Sequence, residues 1–300
     1  MNLDDSFKKF QDSFTKDVKL SNYSWFNLGG NAEYFYKAND KEQLIEFLAK
    51  PKSKNLKTTI IGAGSNTLFR DNGVKGVVIK LGNNFSYSKL DDKNILQVGA
   101  ATFDRKVADF AMENSLGNLE FLSCIPGSIG GAVIMNSGCY NNDISKVLLS
   151  IQVIDKNNLK EIEIKKEDIK FFYRGCNLTK DLIIISAKLK GIKSDKNKIE
   201  KKQLNLINKK KISQPSQVKT CGSTFKNISE NKKAWMLIKE AGCDHLNVGD
   251  AFISKKHCNF FVNNGNAKSS DIENLIKKVK KQVHDKTGVN LELEIKIIGE

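Results

Sequence analysis

Apolar and polar positions switch between two periods along this chain, and the switches mark its elements. Residues 1–20 are polar and predict a helical lead-in. Ala32 to Ala38 alternates as a strand. Asp40 can cap a helix whose apolar residues are Leu44, Ile45, Phe47 and Leu48. Strands are predicted at 58–62, 76–81 and 95–99. Phe103, Val107, Phe110 and Ala111 recur at helical spacing, with Gly117 beyond the end. Extended runs return at 147–154, 160–164 and 182–189. The first part of the chain therefore reads as α+β with a mixed sheet.

The lysine-rich stretch 191–211 predicts a linker helix with Ile199, Leu204 and Ile207 on one side. A smaller unit over 212–300 follows. Ala234, Leu237, Ile238 and Ala241 predict a helix stopped by Gly242. Short strands are expected at 251–254 and 259–262. Ser269 or Ser270 is expected to cap the clearest helix, in which Ile272, Leu275, Ile276, Val279 and Val283 share a face and Gly288 ends the run. Leu291 to Ile297 alternates, so Glu292, Glu294 and Lys296 share the face opposite the apolar residues. The domain plan is a lead-in (1–20), a region of two α+β subdomains split near residue 75 (21–190), a linker helix (191–211) and a C-terminal domain (212–300).

Composition narrows the classes. The 300 residues are 40% hydrophobic, enough for two domains. No apolar run approaches the ~20 residues that span a bilayer, and the polar start Met1-Asn2-Leu3-Asp4 predicts no secretory leader. Six cysteines are scattered without a C-x-x-C pair, which points to a reducing cytoplasm and to no metal site. The net charge of +15 invites a nucleic-acid reading. The lysines are spread throughout, however, and no basic stripe with interleaved aromatics occurs. A solvated lysine-rich surface is expected, with neither nucleic acid nor membrane as partner.

Two glycine loops stand out. Ser123-Cys124-Ile125-Pro126-Gly127-Ser128-Ile129-Gly130-Gly131-Ala132 combines residues that fix or free φ. Ile60-Ile61-Gly62-Ala63-Gly64-Ser65-Asn66-Thr67-Leu68 follows a β-branched run. Either could be a tight turn. Both can offer bare N–H groups to an anion, and together they suggest a pyrophosphate cradle. Thr67 occupies the place of the third glycine in a Rossmann fingerprint, so the cradle is of another kind.

Side-chain chemistry is sparse. His245, His257 and His284 show no metal spacing, and no nucleophile elbow occurs. Gly222-Ser223 can bring a hydroxyl close to a guest. Phe172-Tyr173-Arg174-Gly175 places a guanidinium after an aromatic pair, suited to a carboxylate or phosphate. The polar face of Leu291 to Ile297 is solvent-exposed or aims one carboxylate, Glu292 or Glu294, into a cleft.

From about residue 22 onward, the chain resembles the MurB family, the flavin-dependent UDP-N-acetylenolpyruvoylglucosamine reductases of bacterial peptidoglycan synthesis. The resemblance is carried by Trp25-Phe26-Asn27-Leu28-Gly29-Gly30-Asn31-Ala32, both glycine loops, and Asn136-Ser137-Gly138-Cys139-Tyr140. It continues through Tyr173-Arg174, Gln214-Pro215, Gly222 to Asn227, His257-Cys258-Asn259-Phe260 and Leu291-Glu292-Leu293-Glu294. It implies a FAD-binding fold of the vanillyl-alcohol oxidase (PCMH) type over 21–190 and a C-terminal substrate domain. It implies FAD as cofactor, NADPH as reductant and the enolpyruvyl ether of UDP-N-acetylglucosamine as substrate. The implied catalytic residues are Arg174, Ser223 and Glu294. The implied FAD contacts are Gly62, Ala63, Gly64, Ser65, Asn66, Thr67, Pro126, Gly127, Ser128, Gly130, Gly131, Asn136 and Gly138. Tyr140, Lys211, Asn227 and Asn259 match substrate positions. Ile228 and Asn27 depart from the family pattern, and no tyrosine lies between Arg174 and Ser223, as in the shorter family branch. Rival readings are a flavin oxidase of alcohols on the same fold and a basic nucleic-acid-binding protein.

Overall fold

The computed structural model describes residues 7–53 and 56–300, so the first six residues of the expected lead-in lie outside it. Two compact units emerge. The first comprises the described residues of 1–16, 34–63 and 76–210, and the second 17–33, 64–75 and 211–300. This grouping cuts across the contiguous plan expected from the sequence. Residues 17–33 and 64–75 join the C-terminal residues because Phe26, Leu28 and Leu68 are buried in one apolar cluster with Phe225, Leu237 and Leu275. Strand Thr67–Phe69 also pairs in parallel with Lys296–Ile298.

In the first unit, strands run in the order 14–19, 31–38, 74–81, 58–61, the last two parallel. The helix Lys41–Ser53 covers this sheet's core with Leu44, Phe47 and Leu48. Its expected cap forms: Asp40 Oδ1 accepts the Gln43 N–H at 2.8 Å. Tyr36 and Phe47 stack with ring centroids 3.6 Å apart. The helical lead-in is corrected. Lys8–Phe10 is a single 3-10 turn and Phe14–Lys19 is a strand. Phe7 and Phe10 are buried and pack on Phe47, and this tertiary contact overrides local helical preference.

A five-stranded antiparallel sheet (161–165, 148–155, 182–190, 95–99, 88–90) completes this unit. The helix Asp104–Glu113 buries Val107, Ala108 and Ala111 in the adjoining core. The lysine-rich helix spans Lys196–Ser213, starting late because Ile192–Lys193 pairs with Leu116–Gly117. Its buried face keeps the predicted Ile199 but differs at one position. Leu204 is 54% exposed, while Gln203 is buried and donates Nε2 to the Ala108 carbonyl at 2.9 Å.

The second unit holds strands 247–248, 251–253 and 261–263 and the helices Ala234–Glu240 and Ser269–Thr287. The long helix buries the predicted face, and Gly288 ends it at φ +70°. Its cap differs from expectation. Ser269 and Ser270 lie inside the first turn, and their N–H groups donate to the distant Asp71 carboxylate at 2.8 and 2.9 Å. The expected strand 291–297 is reduced to Lys296–Ile298, preceded by a single bridge between Leu293 and Phe225.

Candidate active site

In the first unit the two glycine loops meet. A Cβ added to Gly62 would lie 3.1 Å from Ser128 Oγ. Strand Thr58–Ile61 leads into the Gly62 loop, and the neighbouring strand sends Lys80 to its root, where Nζ donates to the Gly62 carbonyl at 2.7 Å. Burial, then the nearby Lys37 charge, pulls the Lys80 ammonium below the usual lysine range. Among the described residues, none accepts a hydrogen bond from the N–H groups of Gly62, Ala63, Gly64, Ser65 or Asn66.

The second loop is pinned along the end of strand 95–99. Gly127 accepts the Asp104 N–H at 3.1 Å, the Ile129 N–H donates to Thr102, and the Gly130 N–H donates to Ala100 at 2.9 Å. Gly130 lies so close to Ala100 that an added Cβ would reach its Cβ at 3.2 Å, whereas one at Gly131 would meet nothing within 4 Å. The helix Ile129–Ile134 starts here, after Pro126, Gly127 and Ser128. Asn136, at φ +41°, donates Nδ2 to the Phe172 carbonyl and accepts the Ser145 N–H. It thereby ties the Gly138–Cys139 hairpin to the Arg174 segment. Tyr140, at φ +50°, is exposed.

Arg174 occupies the tip of a short hairpin, Phe171–Phe172 with Gly175–Cys176. Its φ of +57° is uncommon for a side-chain-bearing residue, and its guanidinium lies 5.0 Å from the Tyr173 ring centroid. A Cβ on Gly175 would strike the Phe172 ring, so glycine there lets the hairpin close.

In the second unit the Ser223 segment is laid between two others. Ser223 bridges Phe260 and Phe225 bridges Leu293. The Thr224 N–H donates to the Asn259 carbonyl at 2.8 Å, and the Thr224 carbonyl accepts the Glu294 N–H at 2.9 Å. Ser223 and Glu294, both half-buried, thus sit on adjacent backbones. Gly222, at φ +78°, opens onto space beside the serine. Asn66 donates Nδ2 to the Glu294 carbonyl at 3.0 Å, and its own carbonyl accepts the Lys296 N–H.

The substrate candidates fare unevenly. Asn259 is 2% exposed, and its amide is spent on both backbone polar groups of Phe225, at 2.8 and 3.0 Å. These bonds tie the Phe260 segment to the Ser223 segment. Asn227 Oδ1 accepts the Ala234 N–H at 3.1 Å and so starts the helix Ala234–Glu240. Lys211 is exposed and its carbonyl accepts Lys256 Nζ at 2.7 Å. Lys80 went unread in the sequence. Its signal was a lone lysine closing the apolar run Val77-Val78-Ile79 next to a glycine loop.

Comparison with known proteins gives this site a context. Residues 32–158 match a FAD binding domain, and residues 214–298 match the C-terminal domain of UDP-N-acetylenolpyruvoylglucosamine reductase. The UDP-N-acetylenolpyruvoylglucosamine reductase of Pelagibacter ubique (strain HTCC1062) is 47% identical over 288 residues, covering 95% of this chain and 94% of that protein. The reductase of Orientia tsutsugamushi (strain Ikeda) is 43% identical over 297 residues, covering 98% and 97%. The chain belongs to the MurB family. The crystal structure of the MurB from Thermus caldophilus superposes with a TM-score of 0.81 at 30% identity, over 94% of this chain and 98% of that one. The α+β architecture of the MurB fold, with its PCMH-type FAD-binding domain, is therefore that of this protein.

The residues present fit FAD. A dinucleotide diphosphate needs donors without intervening side chains. The Gly62 loop offers unspent N–H groups, and the Lys80 ammonium stands behind it.

Proposed function

We propose that this MurB-family flavoenzyme reduces the enolpyruvyl ether of UDP-N-acetylglucosamine to UDP-N-acetylmuramate with electrons from NADPH. FAD, when bound, would supply the hydride chemistry that links NADPH to the terminal carbon of the enolpyruvyl double bond. The Gly62 loop would hold the cofactor through its unspent backbone N–H groups, with the Pro126 loop beside it and Asn136 and Gly138 shaping the adjoining turn.

The chain's own residues manage charge and the proton. Hydride addition leaves negative charge on the carbon next to the substrate carboxylate and on that carboxylate. Arg174 answers with a planar fork of donors, which stabilises charge as it develops. Ser223 Oγ gives its proton to that carbon and completes the addition. Glu294 polarises the substrate carboxylate. Tyr140, Lys211 and Asn227 complete the substrate set. Supporting this reading is the Thr224–Glu294 backbone bond, which holds a hydroxyl-bearing and a carboxyl-bearing segment side by side. Six free cysteines suit action in a reducing cytoplasm.

Stopped-flow absorbance of Ser223→Ala tests the assignment. Reduction by NADPH should survive, and reoxidation by the enolpyruvyl sugar should fall by about 10²-fold or more. Equal loss of both half-reactions would remove Ser223 as proton donor.

A further inference from the structure

Strand Val74–Leu81 presents alternate residues to its two faces. Val77 and Ile79 are buried in the apolar cluster that holds Leu44, Phe47 and Leu48. Lys80 therefore leaves the strand on the opposite face. Its register partner on the parallel strand Thr58–Ile61 is Ile61, the residue immediately before Gly62. From there the Lys80 ammonium reaches one residue further along the neighbour and donates to the Gly62 carbonyl at 2.7 Å. The lysine is half-buried, whereas Gly62 is exposed.

A carbonyl on an exposed residue has water as a ready partner, so backbone satisfaction alone does not call for a lysine here. Holding the charge has a cost. Burial, and after it the Lys37 charge, disfavours the protonated ammonium. Peptide geometry shows what the bond achieves. No peptide bond among the described residues is cis, so the Gly62 C=O and the Ala63 N–H point in opposite directions from one rigid plane. Gripping the carbonyl from behind therefore points the Ala63 N–H away from Lys80. Ala63 is half-buried, and among the described residues none accepts from its N–H. An ammonium on the carbonyl also polarises the peptide and makes that N–H a stronger donor. A negative charge on the far side of the peptide offsets the cost of burying the lysine.

We infer that Lys80 is a positioning residue for the cofactor: acting through the Gly62–Ala63 peptide, it aims the Ala63 N–H at an oxygen of the FAD diphosphate. The inference rests on the reading of the Gly62 loop as the cofactor cradle. Lys80 itself need not touch the cofactor. It fixes the loop against the neighbouring strand and carries its charge to the diphosphate across one peptide unit.

Amide NMR of the nitrogen-15-labelled protein and fluorescence titration of the FAD-stripped protein test it. In the unmutated protein, FAD should move the Ala63 amide proton downfield as it gains an acceptor. Lys80→Met should shrink that shift and raise the Kd for FAD about tenfold or more. The Tm of the FAD-free protein should not fall with it, because burial already opposes the lysine charge. Lys80→Arg keeps a charged donor and should restore most of the affinity and of the shift. An Ala63 amide that does not move on FAD binding overturns the inference, and that outcome is read on the unmutated chain, whether or not a variant folds. Wild-type affinity in Lys80→Met, or an arginine variant no better than the methionine one, overturns it as well. Failure of the unmutated protein to bind FAD would instead remove the cradle, and the inference with it.

Discussion

Asn66 holds Glu294 by its backbone: the asparagine side chain donates to the Glu294 carbonyl at 3.0 Å, while the Asn66 carbonyl takes the Lys296 N–H at 2.9 Å. A residue of the glycine loop therefore fixes the segment that carries a candidate catalytic carboxylate. Such a side-chain bond is worth ~1 kcal/mol. Asn66→Ala should weaken both FAD retention and reoxidation by the enolpyruvyl sugar. Glu294→Gln should weaken only the second. Fluorescence titration with FAD and stopped-flow reoxidation separate the two, and loss of FAD affinity in Glu294→Gln would contradict the assignment.

The glycine loop should tolerate substitution very unequally. A Cβ on Gly64 would overlap the Tyr23 carbonyl oxygen, at a φ of +72°. Gly64→Ala should therefore cost about 2–4 kcal/mol of stability, measured by thermal denaturation. Gly62→Ala meets only Ser128 Oγ at 3.1 Å. It should keep the fold and lower FAD affinity about tenfold, or ~1.4 kcal/mol. Ser128→Gly added to it should restore part of the loss.

Asp104 is wholly buried and, among the described residues, neither carboxyl oxygen has a hydrogen-bond partner. Burial lifts its carboxyl well above the ordinary aspartate range. The folded protein therefore keeps a proton that the unfolded chain releases above about pH 4. Stability contributed by this group is full below the unfolded value and is lost as pH rises toward and through the folded one. Asp104→Asn removes that loss. Its gain in Tm should be larger at pH 8 than at pH 5, and equal gains at both would refute the cause.

Arg174 combines a left-handed backbone with a guanidinium over Tyr173. Arg174→Ala should lower kcat/KM for the enolpyruvyl sugar by about 10²–10³, the usual loss for a donor aimed at developing charge. Arg174→Lys should recover little, because a point charge lacks the planar fork. Steady-state kinetics decides it, and near wild-type activity for the lysine variant would show that charge alone suffices.

Much of the site could be read before folding. Gly62-Ala63-Gly64-Ser65-Asn66-Thr67 and Pro126 to Gly131 declared themselves because backbone exposure requires glycine locally, and that requirement is written in consecutive residues. The helices Lys41–Ser53 and Ser269–Thr287 followed from their apolar faces. Partnerships across long separations could not be read. Asp71 capping a helix two hundred residues away, Gln203 buried where Leu204 was expected, and Asn259 spent on Phe225 each depend on which segments meet.

The sequence alone determined the periodic elements, the glycine loops and the family to which the chain belongs. Those properties are local, set by backbone freedom and by the spacing of apolar side chains. The tertiary structure alone decided that 17–33 and 64–75 join the C-terminal core and that Gly62 meets Ser128. Burial of apolar surface and satisfaction of polar groups act through space, and no window along the chain contains them.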